Sequence, residues 1–135
     1  ATAKHAAPEL FEALAAEAQA RLNEFSAQGL ANTAWAFATA QHPSPALFES
    51  LAVEAQGRAA EFTPQGLANT AVAFATAGHD APTLFDAFGE EALRRAGEFN
   101  LQDLAGVTRA FRLAEHEAPE LLEALRVEGE RKRVP

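Results

Sequence analysis

Apolar residues along this chain recur at helical spacing. Between positions 45 and 59, Leu47, Leu51 and Ala55 stand four apart with Phe48 beside them. Between positions 27 and 41, Leu30, Ala31, Ala34, Phe37 and Ala38 share one broad side, with Trp35 at its edge. At about 100° per residue each set forms a single stripe. Two kinds of helix follow. Helix A is predicted over 27–41, 64–78 and 101–115, and helix B over 8–22, 45–59, 82–96 and 119–132. Ser26, Thr63 and Asn100 stand at the N-cap of each helix A, and Pro64 follows at the first helical position. Pro8, Pro45, Pro82 and Pro119 open each helix B, where a missing N–H costs nothing. Gly78 fits a left-handed stop after helix A. The short connections force antiparallel hairpins.

The stripes repeat. FSAQGLANTAWAFATAQH begins at Phe25, FTPQGLANTAVAFATAGH at Phe62 and FNLQDLAGVTRAFRLAEH at Phe99, a step of 37 residues. The intervening PELFEALAAEAQARLNEF, PALFESLAVEAQGRAAEF, PTLFDAFGEEALRRAGEF and PELLEALRVEGERKRVP match as well, and ATAKH at the start matches the end of a helix A, which puts His5 at a turn. A period of this size means stacked units, each unable to bury its apolar face alone. The expected fold is an all-α solenoid of stacked antiparallel hairpins with about seven helices. It forms one array over 1–135: a partial leading repeat 1–24, repeats 25–61 and 62–98, and a divergent capping repeat 99–135.

Composition strengthens the helical reading. Of 135 residues 34 are Ala, five are Val and none is Ile; Ala is the best helix former, and strands favour β-branched residues. With no Cys there is no disulfide framework and no thiol nucleophile. With no Met even at position 1, the chain is expected to be processed or part of something longer. No apolar run approaches the ~20 residues of a membrane span, so membrane insertion is not expected. Any targeting peptide would lie upstream. The net charge of −8 suits protein partners and opposes phosphate backbones. It is uneven: residues 1–90 hold ten acids and three bases, residues 91–135 nine acids and eight bases.

This distribution suggests a division of labour. Residues 26–42 and 63–79 carry no charge apart from His42 and His79, so the A helices read as an uncharged inner wall and the B helices as a solvated outer one. The candidate binding row on the inner wall is Asn32, Thr33, Ala36 and Thr39, then Asn69, Thr70, Ala73 and Thr76. Amides and hydroxyls there offer hydrogen bonds without charge; the alternative is that they hold repeat register. The third helix A departs from this pattern. Arg109 stands where Trp35 and Val72 stood, and Arg112 where Ala38 and Ala75 stood. With Arg126, Arg131, Lys132 and Arg133 they read either as the wetted end of an array or as a basic patch for phosphate or an acidic partner.

Glu17–Arg21, Glu54–Arg58, Glu91–Arg95 and Glu128–Lys132 are spaced i,i+4 with the acid first, the favourable order on a helix. They are read as structural pairs that also bridge adjacent units. His5, His42, His79 and His116 recur at the A-to-B turn. At roughly 9–10 Å between stacked units they are too far apart to share a metal ion and are read as packing residues. No phosphate loop and no catalytic constellation is present in the sequence, so neither an enzyme nor a cofactor is expected.

The string LANTAWAFATA, preceded by F-x-x-Q and followed by H-x-x-P-x-L-F, resembles the octotricopeptide-type repeats of algal and other protist organelle proteins, over almost the whole chain. That resemblance implies a right-handed superhelix and an organellar location, chloroplast ahead of mitochondrion. It also implies single-stranded RNA binding in RNA maturation, stability or translation, with Asn32, Thr33, Asn69 and Thr70 as base-contact positions. Three functions follow in order. The first is a scaffold or accessory subunit docking on protein partners in a larger organellar assembly. The second is an RNA binder that meets phosphates through Arg109, Arg112 and the C-terminal basic cluster. The third is a groove for a partner helix or peptide.

Overall fold

A computed structural model describes the backbone of residues 2–42 and 44–133, and the side chains of those from residue 8 onward. Among the described residues the chain is all-helical, with seven α-helices packed against each other and no strand. They are α1 (Thr2–Ala20), α2 (Ala27–Thr39), α3 (Pro45–Gln56), α4 (Pro64–Ala77), α5 (Pro82–Arg94), α6 (Leu101–Leu113) and α7 (Pro119–Arg133). The A helices are α2, α4 and α6. The B helices are α1, α3, α5 and α7.

Local chemistry sets the boundaries. The side chains of Ser26, Thr63 and Asn100 accept hydrogen bonds from the N–H groups of Gly29, Gly66 and Asp103 at 3.0, 3.0 and 2.7 Å. Each such cap contributes about 1 kcal/mol. All three A helices end in a left-handed residue: Gln41 (φ 58°), Gly78 (φ 71°) and Glu115 (φ 55°). The next N–H, of His42, His79 or His116, reaches back to the carbonyl of Phe37, Phe74 or Phe111 at 3.1, 3.1 and 3.0 Å. This closes the end of the helix. The device is therefore used three times, although only one of the three residues is glycine.

Helices α3 and α5 stop before the expected limits and give way to short 3-10 turns at Ala59–Glu61 and Ala96–Glu98; a matching turn, Leu22–Glu24, follows α1. Each turn delivers an extended residue, Phe25, Phe62 or Phe99, next to the following cap. Phe62 and Phe99 are buried there. At the other end of the chain the expected turn at His5 is not formed. Helix α1 runs from Thr2 to Ala20 with Pro8 inside it. The alanine-rich stretch ahead of Pro8 continues the helix, in keeping with the high helix propensity of Ala. The His5 side chain lies outside the described residues.

Packing runs in two series. Helix α2 packs on α4 and α4 on α6; α1 packs on α3, α3 on α5 and α5 on α7; the hairpins α2–α3, α4–α5 and α6–α7 join the series. Close approach of the A helices depends on small side chains. Ala31, Ala34, Ala68, Ala71, Ala73 and Ala110 are buried, and a Cβ on Gly106 would lie 3.6 Å from the Ala68 Cβ and 3.8 Å from the Val72 Cγ2. Each A helix also sets a Phe on the preceding B helix: Phe37 on Phe11, Phe74 on Phe48 and Phe111 on Phe85, with ring centroids 5.3, 4.8 and 4.9 Å apart in edge-to-face geometry.

Candidate binding surfaces

The exposed stripe of helix A is Gln28, Asn32, Trp35 and Thr39, residues i, i+4, i+7 and i+11 of one helix face. Its counterparts in α4 are Gln65, Asn69, Val72 and Thr76, of which Val72 is buried. Asn32 and Asn69 meet in one cleft of about 700 Å³, which Gln28, Gln65, Ser26 and Thr63 also line. The expected row is thus only partly a surface. Asn32, Thr39 and Thr76 are exposed and Asn69 is half-buried, but Thr70 (1% exposed) and Ala73 (0%) lie in the core. The reason is geometric. Positions 33, 36, 70 and 73 point round the helix toward the preceding helix A, and α2 covers them in α4. Ala36 is exposed and Thr33 half-buried, and among the described residues no helix A packs there. Thr33 donates to the Gly29 carbonyl at 2.7 Å, and Thr76 to the Val72 and Ala73 carbonyls at 2.9 and 3.2 Å. The Thr70 hydroxyl has no hydrogen-bond partner among the described residues.

Gln28 stands in the sequence reading only as the last residue of F-x-x-Q, and neither it nor Gln65 and Gln102 is among the expected binding residues. All three are exposed, and each stands three residues after the unit's leading Phe. A polar side chain recurring at a solvent position was the available signal. The cleft that Gln28 and Gln65 border has no net basic character. Arg58 at its edge is held by Glu54 and Glu61 at 3.2 and 3.1 Å, and the hydrogen bond to Glu61 raises its already high pKa. Such a surface can bond to amides, carbonyls or base edges, but it offers no counter-charge to phosphate.

The acid-first pairs form in every unit. The N···O distances are 2.9 Å for Glu17–Arg21, 3.2 Å for Glu54–Arg58, 3.5 Å for Glu91–Arg95 and 3.8 Å for Glu128–Lys132. Two of the cations also bridge units. Arg95 donates to the Phe62 carbonyl at 2.8 Å, and Lys132 to the Gly97 carbonyl at 3.1 Å. The turn histidines pack against the Phe ladder. His79 lies 5.9 Å from Phe48 and 5.8 Å from Phe74. His116 lies 5.7 Å from Phe85 and 5.6 Å from Phe111, and its Nε2 is 2.7 Å from Asp86 Oδ1.

The basic candidates separate into two groups. Arg109, Arg112, Arg126 and Arg133 line one cleft of about 660 Å³ between α6 and α7, over Leu101, Leu104, Leu113, Leu122 and Leu125. Arg131 and Lys132 are not part of it: Arg131 pairs with Glu128 at 2.7 Å, and Lys132 reaches Gly97 and Glu128. Inside the cleft, Arg126 is held by Glu123 at 2.6 Å and by Glu130. Among the described residues Arg109, Arg112 and Arg133 make no ion pair. The floor is partly open, with Leu101 40% and Leu113 55% exposed. Comparison with protein-family models, curated proteins and solved structures gave no match.

Proposed function

We propose that the chain is a non-catalytic interaction module: a right-handed α-solenoid of octotricopeptide type that serves as a scaffold or accessory subunit for protein partners in an organellar, chloroplast-type assembly. The two packing series support the solenoid, because each hairpin covers the apolar side of the next. The observation that carries the scaffold reading is the distribution of charge. The B helices pair one carboxylate per unit with an arginine or lysine and keep an acidic outer layer over α1, α3 and α5. The A wall is uncharged over α2 and α4. The arginines that make no ion pair among the described residues border leucines at α6–α7, an apolar–basic combination suited to a protein surface. The test is affinity capture with the full-length protein after nuclease treatment, followed by cross-linking to map contacts. Stable protein partners cross-linked to the A helices or to α6–α7 are expected. Recovery of nucleic acid alone would sink the reading.

A second reading, binding of single-stranded RNA, rests on the four amides that Gln28, Asn32, Gln65 and Asn69 bring to one cleft. It predicts that affinity falls steeply with salt and that Arg109→Ala with Arg112→Ala flattens the slope. A full-length protein that holds no single-stranded RNA at low salt ends it.

A further inference from the structure

Helix α6 offers the side away from α4 that α2 and α4 use to receive a neighbour. Ala105, Thr108 and Arg112 continue the positions of Ala68, Ala71 and Ala75, on the side of α4 against which α6 packs. In the same way Leu122 of α7 continues Phe48 and Phe85, the rings on which Phe74 and Phe111 are seated. The α6–α7 cleft therefore has the form of a seat for one helix. Its chemistry differs from that of the two filled seats. Arg109 and Arg112, one turn apart on α6, and Arg133 on α7 border an apolar floor without carboxylate partners among the described residues. An uncharged helix laid there would strip water from these guanidinium groups and return nothing. The same holds for a second copy of this chain presenting α2 or α4, because neither helix contains an acidic residue.

Resting on the interaction-module reading, we propose that the α6–α7 cleft receives an amphipathic helix of a partner protein, with an apolar stripe flanked by carboxylates three or four residues apart. A bulky apolar side chain of that helix sits over Leu122, and its carboxylates face Arg109 and Arg112. This is helix-in-groove recognition with bidentate guanidinium–carboxylate pairing at its edge.

The probe is a fluorescein-labelled peptide of ~18 residues, about five helical turns, with Leu and Ala on one face and Glu flanking it. Anisotropy titration against the full chain is expected to give saturable binding. Affinity should drop at least tenfold for the Arg109→Gln/Arg112→Gln variant and for a peptide with Gln in place of Glu, and Leu113→Ser should weaken it as well. Arg21→Gln on α1 should leave it unchanged, and circular dichroism of each variant checks the fold. The proposal is overturned if the Gln peptide binds equally well or if the arginine variant retains full affinity. It is also overturned if oligouridylate displaces the peptide through the same arginines. Concentration-dependent self-association that disappears in the arginine variant would instead make a second copy the occupant. If the peptide fails while the arginine variant still captures the wild-type set of protein partners, this site alone is wrong. If no protein partner is captured by either chain, the interaction-module reading fails with it.

Discussion

The two outer sides of the array carry the same repeat positions in different chemistry. On the side of α1 and α2 away from α3 and α4, Leu10 and Leu14 are 57% and 49% exposed, and Asn32 and Ala36 face solvent beside them. Leu47, Leu51 and Ala73 occupy the corresponding positions one unit on and are fully covered. On the opposite side, Arg112 and Arg126 stand exposed where the preceding units place small residues: Ala75 half-buried, and Ala52 and Gly89 buried. One side is thus an ordinary repeat interface left open, uncharged over α2. The other has been rewritten with cations. Exposure in such an array is a property of the neighbouring hairpin rather than of the residue, and only the second side departs from the repeat in a way that specifies a different neighbour.

Substitutions at equivalent positions should break or sharpen this comparison. The largest contrast is expected between Leu51→Ala, which should cost about 2–5 kcal/mol, and Leu14→Ala at the same repeat position, which should cost about 0.5 kcal/mol or less. Chemical denaturation of the two variants measures it, and equal losses would mean that α1 is covered as α3 is. A smaller contrast is expected from overpacking. Ala73→Leu at the α2–α4 contact should destabilise by about 1–3 kcal/mol, whereas Ala36→Leu should be close to neutral in thermal melts. Thr70→Val removes a buried hydroxyl that has no partner among the described residues. It places at that position the residue the third unit already has in Val107. A gain of about 1 kcal/mol is expected from the same melts.

The smallest effect concerns Asp103, which stands buried where Gly29 and Gly66 open the other A helices. Burial raises its carboxyl above the usual range. The folded chain therefore keeps this proton to higher pH than the unfolded chain does. The contribution is most favourable below the unfolded value and is lost as pH rises through the folded one. Asp103→Asn should raise the Tm at neutral pH, and the gain should vanish below about pH 4.

The 37-residue period, the caps at Ser26, Thr63 and Asn100 and the prolines opening α3, α4 and α5 could be read directly from the chain, because each is a local signal with a local cause. The acid-first pairs were legible for the same reason. The sides of the A helices were only half legible. The period of one helix separates Leu30 and Phe37 from Asn32, but it does not reveal which flank meets the preceding helix, and that flank is what buries Thr70 and Ala73. The left-handed residues at Gln41 and Glu115 escaped notice because neither is glycine; their equivalence to Gly78 shows only once the units are aligned. The grouping of Arg109 and Arg112 with Arg133, and the separation of Arg131 and Lys132 from them, depends on how α7 lies on α6. No spacing rule within one helix contains that information.

Stacking of helix A on helix A at this register underlies every surface described above, and the absence of cysteine makes it directly testable. The Cβ of Ala68 and a Cβ on Gly106 are 3.6 Å apart, within the range of about 3.5–4.5 Å that a disulfide needs. Ala68→Cys with Gly106→Cys should oxidise completely to an intramolecular disulfide under mild conditions, while Ala36→Cys with Gly106→Cys should remain as free thiols. If the first pair stays reduced, or both pairs oxidise alike, the helices are not stacked in this way.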